Sequence, residues 1–229
     1  MFKLNTKKNV FLLAFVCVLF ISLIIVTFIK IRGNLVSQTT SPTTSSKEET
    51  TMKEAISIAY TKVKELSPDA KLAKIISTDA RVEPSAESGA NGTRAVWNVT
   101  FTDTKSNAEY NIFVSCGKAE VFEDKNKVVR KAISNSDIKI DSTDAIKIAK
   151  EQKELKPGIP NKDFAIGYHF NIYYAPLNGA ASDKLIMQVI GISPNGNFAH
   201  VNIDASNGNI IDSSEKTYDE NGKAIWTPF

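Results

Sequence analysis

Apolar residues follow three patterns along this chain. From Val10 to Ile29, "VFLLAFVCVLFISLIIVTFI", they run without a charge for 20 residues. From Met52 onward they recur at Met52, Ile56, Ala59, Val63 and Leu66, the i, i+4, i+7 spacing of one helical face. Beyond Leu72 most segments alternate, as half-buried strands do. At about 1.5 Å per residue, the first run spans roughly 30 Å as a helix, the depth of a bilayer core. It is longer than the apolar stretch of a secretory signal, and no small-residue cleavage site closes it. Residues 10–31 therefore read as a transmembrane helix and residues 1–9 as a cytoplasmic stub. Lys3, Lys7 and Lys8 before the run, against Lys30 and Arg32 after it, favour a single-pass cell-membrane protein with its C-terminal part extracytoplasmic.

Residues 32–50 contain "SQTTSPTTSSKEET" (Ser37–Thr50), which has no large apolar side chain and reads as a Ser/Thr-rich linker. The chain from Thr51 onward carries an internal repeat. "TMKEAISIA" (Thr51–Ala59) returns ninety residues later as "DSTDAIKIA" (Asp141–Ala149), with Ala55, Ile56, Ile58 and Ala59 matched by Ala145, Ile146, Ile148 and Ala149. Thr51 with Glu54, and Asp141 with Asp144, occupy the two positions of a capping box at each helix start. β-type sequence comes after each helix. In the first repeat it lies near 72–82, 95–102, 110–115 and 119–122; in the second, near 164–174, 184–192, 198–204 and 209–212. "ESGANGT" (Glu87–Thr93) and "SPNGN" (Ser193–Asn197) carry Asn-Gly turn signals. The pattern predicts an α+β fold of two tandem units, 51–135 and 136–229. Each would be one helix packed on a three- to four-stranded antiparallel sheet, and together they would form a bilobed domain.

Charge changes the picture little. The whole chain is +3, but from Thr51 onward 22 basic residues meet 23 acidic ones, so the basic balance belongs to the flanks of the apolar run. It gives no argument for nucleic acid. Candidate chemistry is sparse. His169 and His200 sit in strand sequence and not in a metal-binding pair, and no phosphate loop, G-x-S-x-G or C-x-x-C is present from residue 51 on. Asp137, Asp141 and Asp144 lead into a helix start, while Glu120, Glu123 and Asp124 lie among lysines. Cys116 has no intradomain partner and reads as a small buried residue, with a catalytic thiol or an intermolecular bridge as the alternatives. "VNIDASNGNII" (Val201–Ile211) lacks the alternating acids of a calcium loop and reads as a hairpin, with Asp204 accepting from the turn and Gly208 at positive φ. These readings predict no enzyme, no cofactor and no metal.

The most suggestive stretch is "YHFNIYYAP" (Tyr168–Pro176). As a strand it places Tyr168, Phe170, Ile172 and Tyr174 on one face, towards the core, and His169, Asn171 and Tyr173 on the other. Tyr173, Tyr174 at the strand end, and Trp226 in "KAIWTPF" are the candidate partner-binding residues, since aromatic side chains dominate protein interfaces.

The order of motifs resembles the PepSY family, which takes its name from protease propeptides and a spore-associated membrane protein. The residues that carry the resemblance are Glu54-Ala55-Ile56, Ala59, Trp97-Asn98-Val99 and Tyr110–Val114 in the first copy, and Asp144-Ala145-Ile146, Ala149 and Val201–Ile211 in the second. "VSCGKAEVF" (Val114–Phe122) departs from the pattern, lacking the Asp and two turn residues. The resemblance implies a membrane-anchored, extracytoplasmic protein-binding module of a Gram-positive bacterium, regulating a peptidase or a cell-wall synthase by contact. The alternative it implies is a propeptide-like inhibitor occupying a metallopeptidase cleft.

Overall fold

The computed structural model describes residues 48–122, 130–176 and 183–229. The expected transmembrane span, 10–31, and most of the 32–50 linker lie outside the described residues. No described helix is long and apolar enough to cross a membrane.

Two α-helices form among the described residues, α1 (Met52–Leu66) and α2 (Ser142–Lys153). Both capping boxes close as their sequences require: Glu54 accepts from Thr51 N at 2.8 Å, and Asp144 from Asp141 N at 3.0 Å. In α1, Met52, Ala55, Ile56, Ala59 and Val63 are buried, whereas Leu66, at the last turn, is exposed.

The described strands are β1 (Lys71–Ser77), β2 (Val96–Asp103), β3 (Ala108–Ser115), β4 (Lys118–Phe122), β5 (His169–Ala175), β6 (Lys184–Ile192), β7 (Phe198–Asp204), β8 (Ile210–Tyr218) and β9 (Ala224–Pro228). They make one antiparallel sheet in the order β4-β3-β2-β1-β5-β6-β7-β8-β9. This corrects the expected pair of separate helix-on-sheet units: both repeats contribute to one continuous sheet, and the domain is not bilobed. The reason lies at β1 and β5, the first strand of each repeat. Standing alone, each unit would leave this strand with an unpaired edge; pairing Ile75 with Ile172 and Ile76 with Asn171 removes both edges.

The helix starts interlock as well. Ser142 Oγ accepts from Met52 N (2.9 Å), and Asp141 Oδ1 accepts from Lys53 N (3.1 Å), so the cap of α2 satisfies two amides that α1 cannot bond internally. Gly92, at φ +88°, lets the 83–93 loop lie against this junction. A Cβ there would fall 2.5 Å from the Thr143 backbone.

Paired residues of neighbouring strands share a face. Val99, Ile75, Ile172 and Met187 are thus aligned, and all are fully buried in one core with α1 and α2 above them. Helix α1 covers β1 to β4, and α2 covers β6 and β7. Among the described residues no helix covers the opposite face. Strand β5 starts at His169, later than the sequence pattern suggests, leaving Phe164 in a loop and 95% exposed. Strand β9 was not expected at all; it adds Trp226 to the sheet.

Candidate functional site on the helix-free face

The helix-free face has a backbone-defined centre. Cα pairing runs Glu120–Phe113–Asn98–Ile76–Asn171–Gln188–Asn202–Asp212, one residue from each of eight strands on a single rung. Four of the eight carry amides. On the β6–β8 side they satisfy one another: Gln188 Nε2 donates to Asn202 Oδ1 (3.0 Å), and Asn202 Nδ2 donates to Asp212 Oδ1 (2.9 Å). Gln188 Nε2 also reaches the Tyr173 hydroxyl at 3.2 Å. At the seam between the repeats they do not. Asn98 and Asn171 flank Ile76, and the Oδ1 of each is buried with no donor among the described residues.

On one side of this rung the face sinks into an apolar groove of about 720 Å³. Ile76, Phe113, Phe122, Ile190 and Phe198 line it, and Phe164 overhangs it with its ring edge-on to Phe198 (centroids 6.3 Å apart). On the other side is a pocket of about 430 Å³, where the cations Lys74, Arg130 and Lys131 and the single acid Asp183 meet Asn171, Tyr173 and Tyr174.

The groove has a charged wall. Arg94 is buried, donates to the carbonyls of Ile166 (3.4 Å) and Tyr168 (3.3 Å), and pairs with Asp79. His169 Nε2 lies 3.2 Å from the other oxygen of Asp79, out of line for a hydrogen bond. Its Nδ1 lies 3.2 Å from Ser77 Oγ. Burial pushes the Asp79 carboxyl up, but His169 and Arg94 outweigh it and hold Asp79 below the ordinary carboxylate range. Burial lowers the Arg94 guanidinium, with Asp79 opposing. Ser, His and Asp in sequence contact have the vocabulary of a hydrolase, but a nucleophile needs an open approach. Ser77 is 2% exposed, and its Oγ already accepts from Phe170 N at 3.0 Å. Here the set fastens β1 to β5 and fixes the groove wall. Among the described residues no group of three His, Cys, Asp or Glu side chains is placed to hold a metal.

The three sequence-nominated residues are not brought together. Tyr173 is on the helix-free face, where burial and Asp212 raise its phenol. Tyr174 faces the helix side, partly buried against the core, with Lys131 Nζ 3.9 Å from its ring centroid. Trp226 is half exposed beside His200 (ring centroids 4.7 Å apart) and near Phe198 (6.0 Å). It is on the face of Tyr173 but four strands away, roughly 19 Å across the strands at the usual spacing, and displaced along them as well. Cys116 is half-buried against Ala95, Val96 and Phe113, at φ +47° in the tight β3–β4 turn.

The amide rung and Lys74 escaped the sequence reading. Their only signal was a polar residue inside otherwise apolar strands: Asn98 in "VWNVTF", Gln188 in "LIMQVI", Asn202 in "HVNID". No family model matches this chain, and no curated protein or solved structure matches it significantly. The likeness to the PepSY family rests on its short sequence motifs alone.

Proposed function

We propose that this chain is a protein-binding module that takes an extended polypeptide against the helix-free face of its sheet. Held at a membrane by residues 10–31, it would regulate its partner by contact. A peptidase or a cell-wall synthase, the partners suggested by the PepSY likeness, would each offer such a segment. The observation that carries the proposal is the pair of orphaned amide oxygens of Asn98 and Asn171, set on either side of Ile76 next to an apolar groove. A buried acceptor with no donor costs folding stability, on the order of 1–3 kcal/mol each. The χ2 torsion of asparagine is soft, so either oxygen can turn outward and accept from a ligand. Two strands apart, the amides are separated by about 10 Å, close to three residues of extended chain. In the extended polyproline II conformation, about 3.1 Å per residue and three residues per turn, a polypeptide presents backbone N–H groups to one side at close to that interval and has side chains to fill the groove.

The test is selection of a random dodecapeptide phage library on the full chain in detergent micelles. Selected peptides should bind an Ile76→Ser, Phe164→Ala double variant about tenfold more weakly, while its thermal unfolding stays cooperative. Failure to select any peptide, or peptides indifferent to the double variant, would overturn the proposal.

A further inference from the structure

The cationic pocket beside the rung has a charge arrangement that polypeptide capture in general does not require. Arg130 is already engaged: its guanidinium makes contacts of 2.6 and 2.5 Å with the two carboxylate oxygens of Glu109, a side chain only 1% exposed. Lys131 is shared between the Tyr174 ring and Asp183, whose Oδ2 is 3.9 Å away. Lys74 is different. It is partly buried on the central strand β1, and among the described residues no acceptor or carboxylate is within bonding range of its ammonium. Burial, and then the charge of Arg130, both lower its pKa, the signature of an ammonium short of compensation. Among the described residues, one positive charge is thus left over in the pocket.

A second donor stands beside it. Tyr173 lies one residue beyond the Ile75–Ile172 pair on β5, as Lys74 does on β1. The Tyr173 oxygen accepts from Gln188, which leaves its hydroxyl hydrogen unassigned. Two donors on adjacent strands with a single surplus charge suit a monoanion with two acceptor oxygens. Asn171, which lines this pocket, shares the rung with Ile76 and Asn98, which line the groove, so one ligand can occupy both. We infer that Lys74 and Tyr173 receive a carboxylate of the bound polypeptide, from an Asp, a Glu or the chain terminus, while its apolar side chains occupy the groove. This rests on the proposed binding function and names what the partner must carry.

The dodecapeptide selection separates the two claims. Selected peptides should carry an acidic residue or a terminal carboxylate at a fixed offset from their apolar residues. Replacing that carboxylate with its amide should weaken binding about tenfold to the natural chain and less than twofold to a Lys74→Met variant. A Lys74→Glu variant selected afresh should yield basic residues at the same offset. If groove-dependent peptides emerge with no acidic preference, the carboxylate assignment fails and the binding function stands. If no groove-dependent peptide emerges, both fail. A third arm uses vesicles of phosphatidylcholine with and without phosphatidylglycerol. Lys74-dependent binding to the anionic vesicles, with no acidic preference among peptides, would give the pocket to lipid phosphate and also overturn the inference.

Discussion

On the helix-covered face of the sheet, Trp97, Val99, Phe170 and Ile172 are fully buried. One residue along the same strands, on the other face, are Asn98, Thr100, Asn171 and Tyr173. The strands, the twist and the backbone hydrogen bonds are common to both faces; only the partner above them differs. Under the helices each side chain is held by apolar neighbours, and the Trp97 indole donates to Thr50 O at 3.2 Å. On the other face, among the described residues, two amide oxygens have no donor, a lysine has no counter-ion, and a phenylalanine stands in solvent. One face was shaped for stability alone, and the other gives some of it up.

That contrast can be broken in four places. The largest effect should come from Trp97→Ala, which empties a fully buried site and should lower unfolding free energy by about 4 kcal/mol in urea titration. A loss below about 1 kcal/mol would mean that the helix face is not the core. Next is Asp79→Ala. It leaves the buried Arg94 guanidinium uncompensated and should cost about 2 kcal/mol, less than a fully buried pair because Asp79 is 28% exposed. Its folded pKa lies below the unfolded value. The contribution is therefore complete above about pH 4 and lost as pH falls through the depressed value. The gap between variant and natural chain should narrow under acid, and a gap constant from pH 7 to pH 2 would exclude this origin.

The third has the opposite sign. Asn171→Leu removes an orphaned acceptor and should raise stability by about 1 kcal/mol while weakening peptide binding. A loss of stability would show that Asn171 is structurally satisfied. The smallest is Phe164→Ala, which should change unfolding free energy by less than about 0.5 kcal/mol, because the ring buries almost nothing within the chain. Calorimetry showing a larger loss would place the ring in the fold and not over an open groove.

The helices were legible because their signals are local: two capping boxes and an apolar stripe determine them within a dozen residues. Alternation in "YHFNIYYAP" likewise assigned Phe170 and Ile172 to the core and left His169, Asn171 and Tyr173 opposite. The repeat also correctly equated the two helix starts. It misled on assembly, because similarity of two segments says nothing about whether each closes its own sheet. The β1–β5 pairing joins residues almost a hundred positions apart, and no local pattern encodes it. The amide rung was hidden for the same reason. Each Asn or Gln is visible in its own strand, but their alignment depends on four registers at once. Trp226 stood out as an aromatic residue, but its strand was missed because Ala224–Pro228 contains a proline, which sheets tolerate only at an edge.

The β1–β5 seam has a mechanical consequence. It is joined by two residue pairs, whereas every other neighbouring strand pair is joined by five or more. The orphaned amides and Ile76 sit directly over it, so a ligand reaching from Asn98 to Asn171 acts as a clasp across the weakest line of the sheet. Occupancy should then slow hydrogen exchange at the amides of Ile75 and Ile172 more than within β7, and pulling the two ends of the domain apart should part it more readily when empty than when occupied. Under the proposed function the molecule would report tension as well as contact.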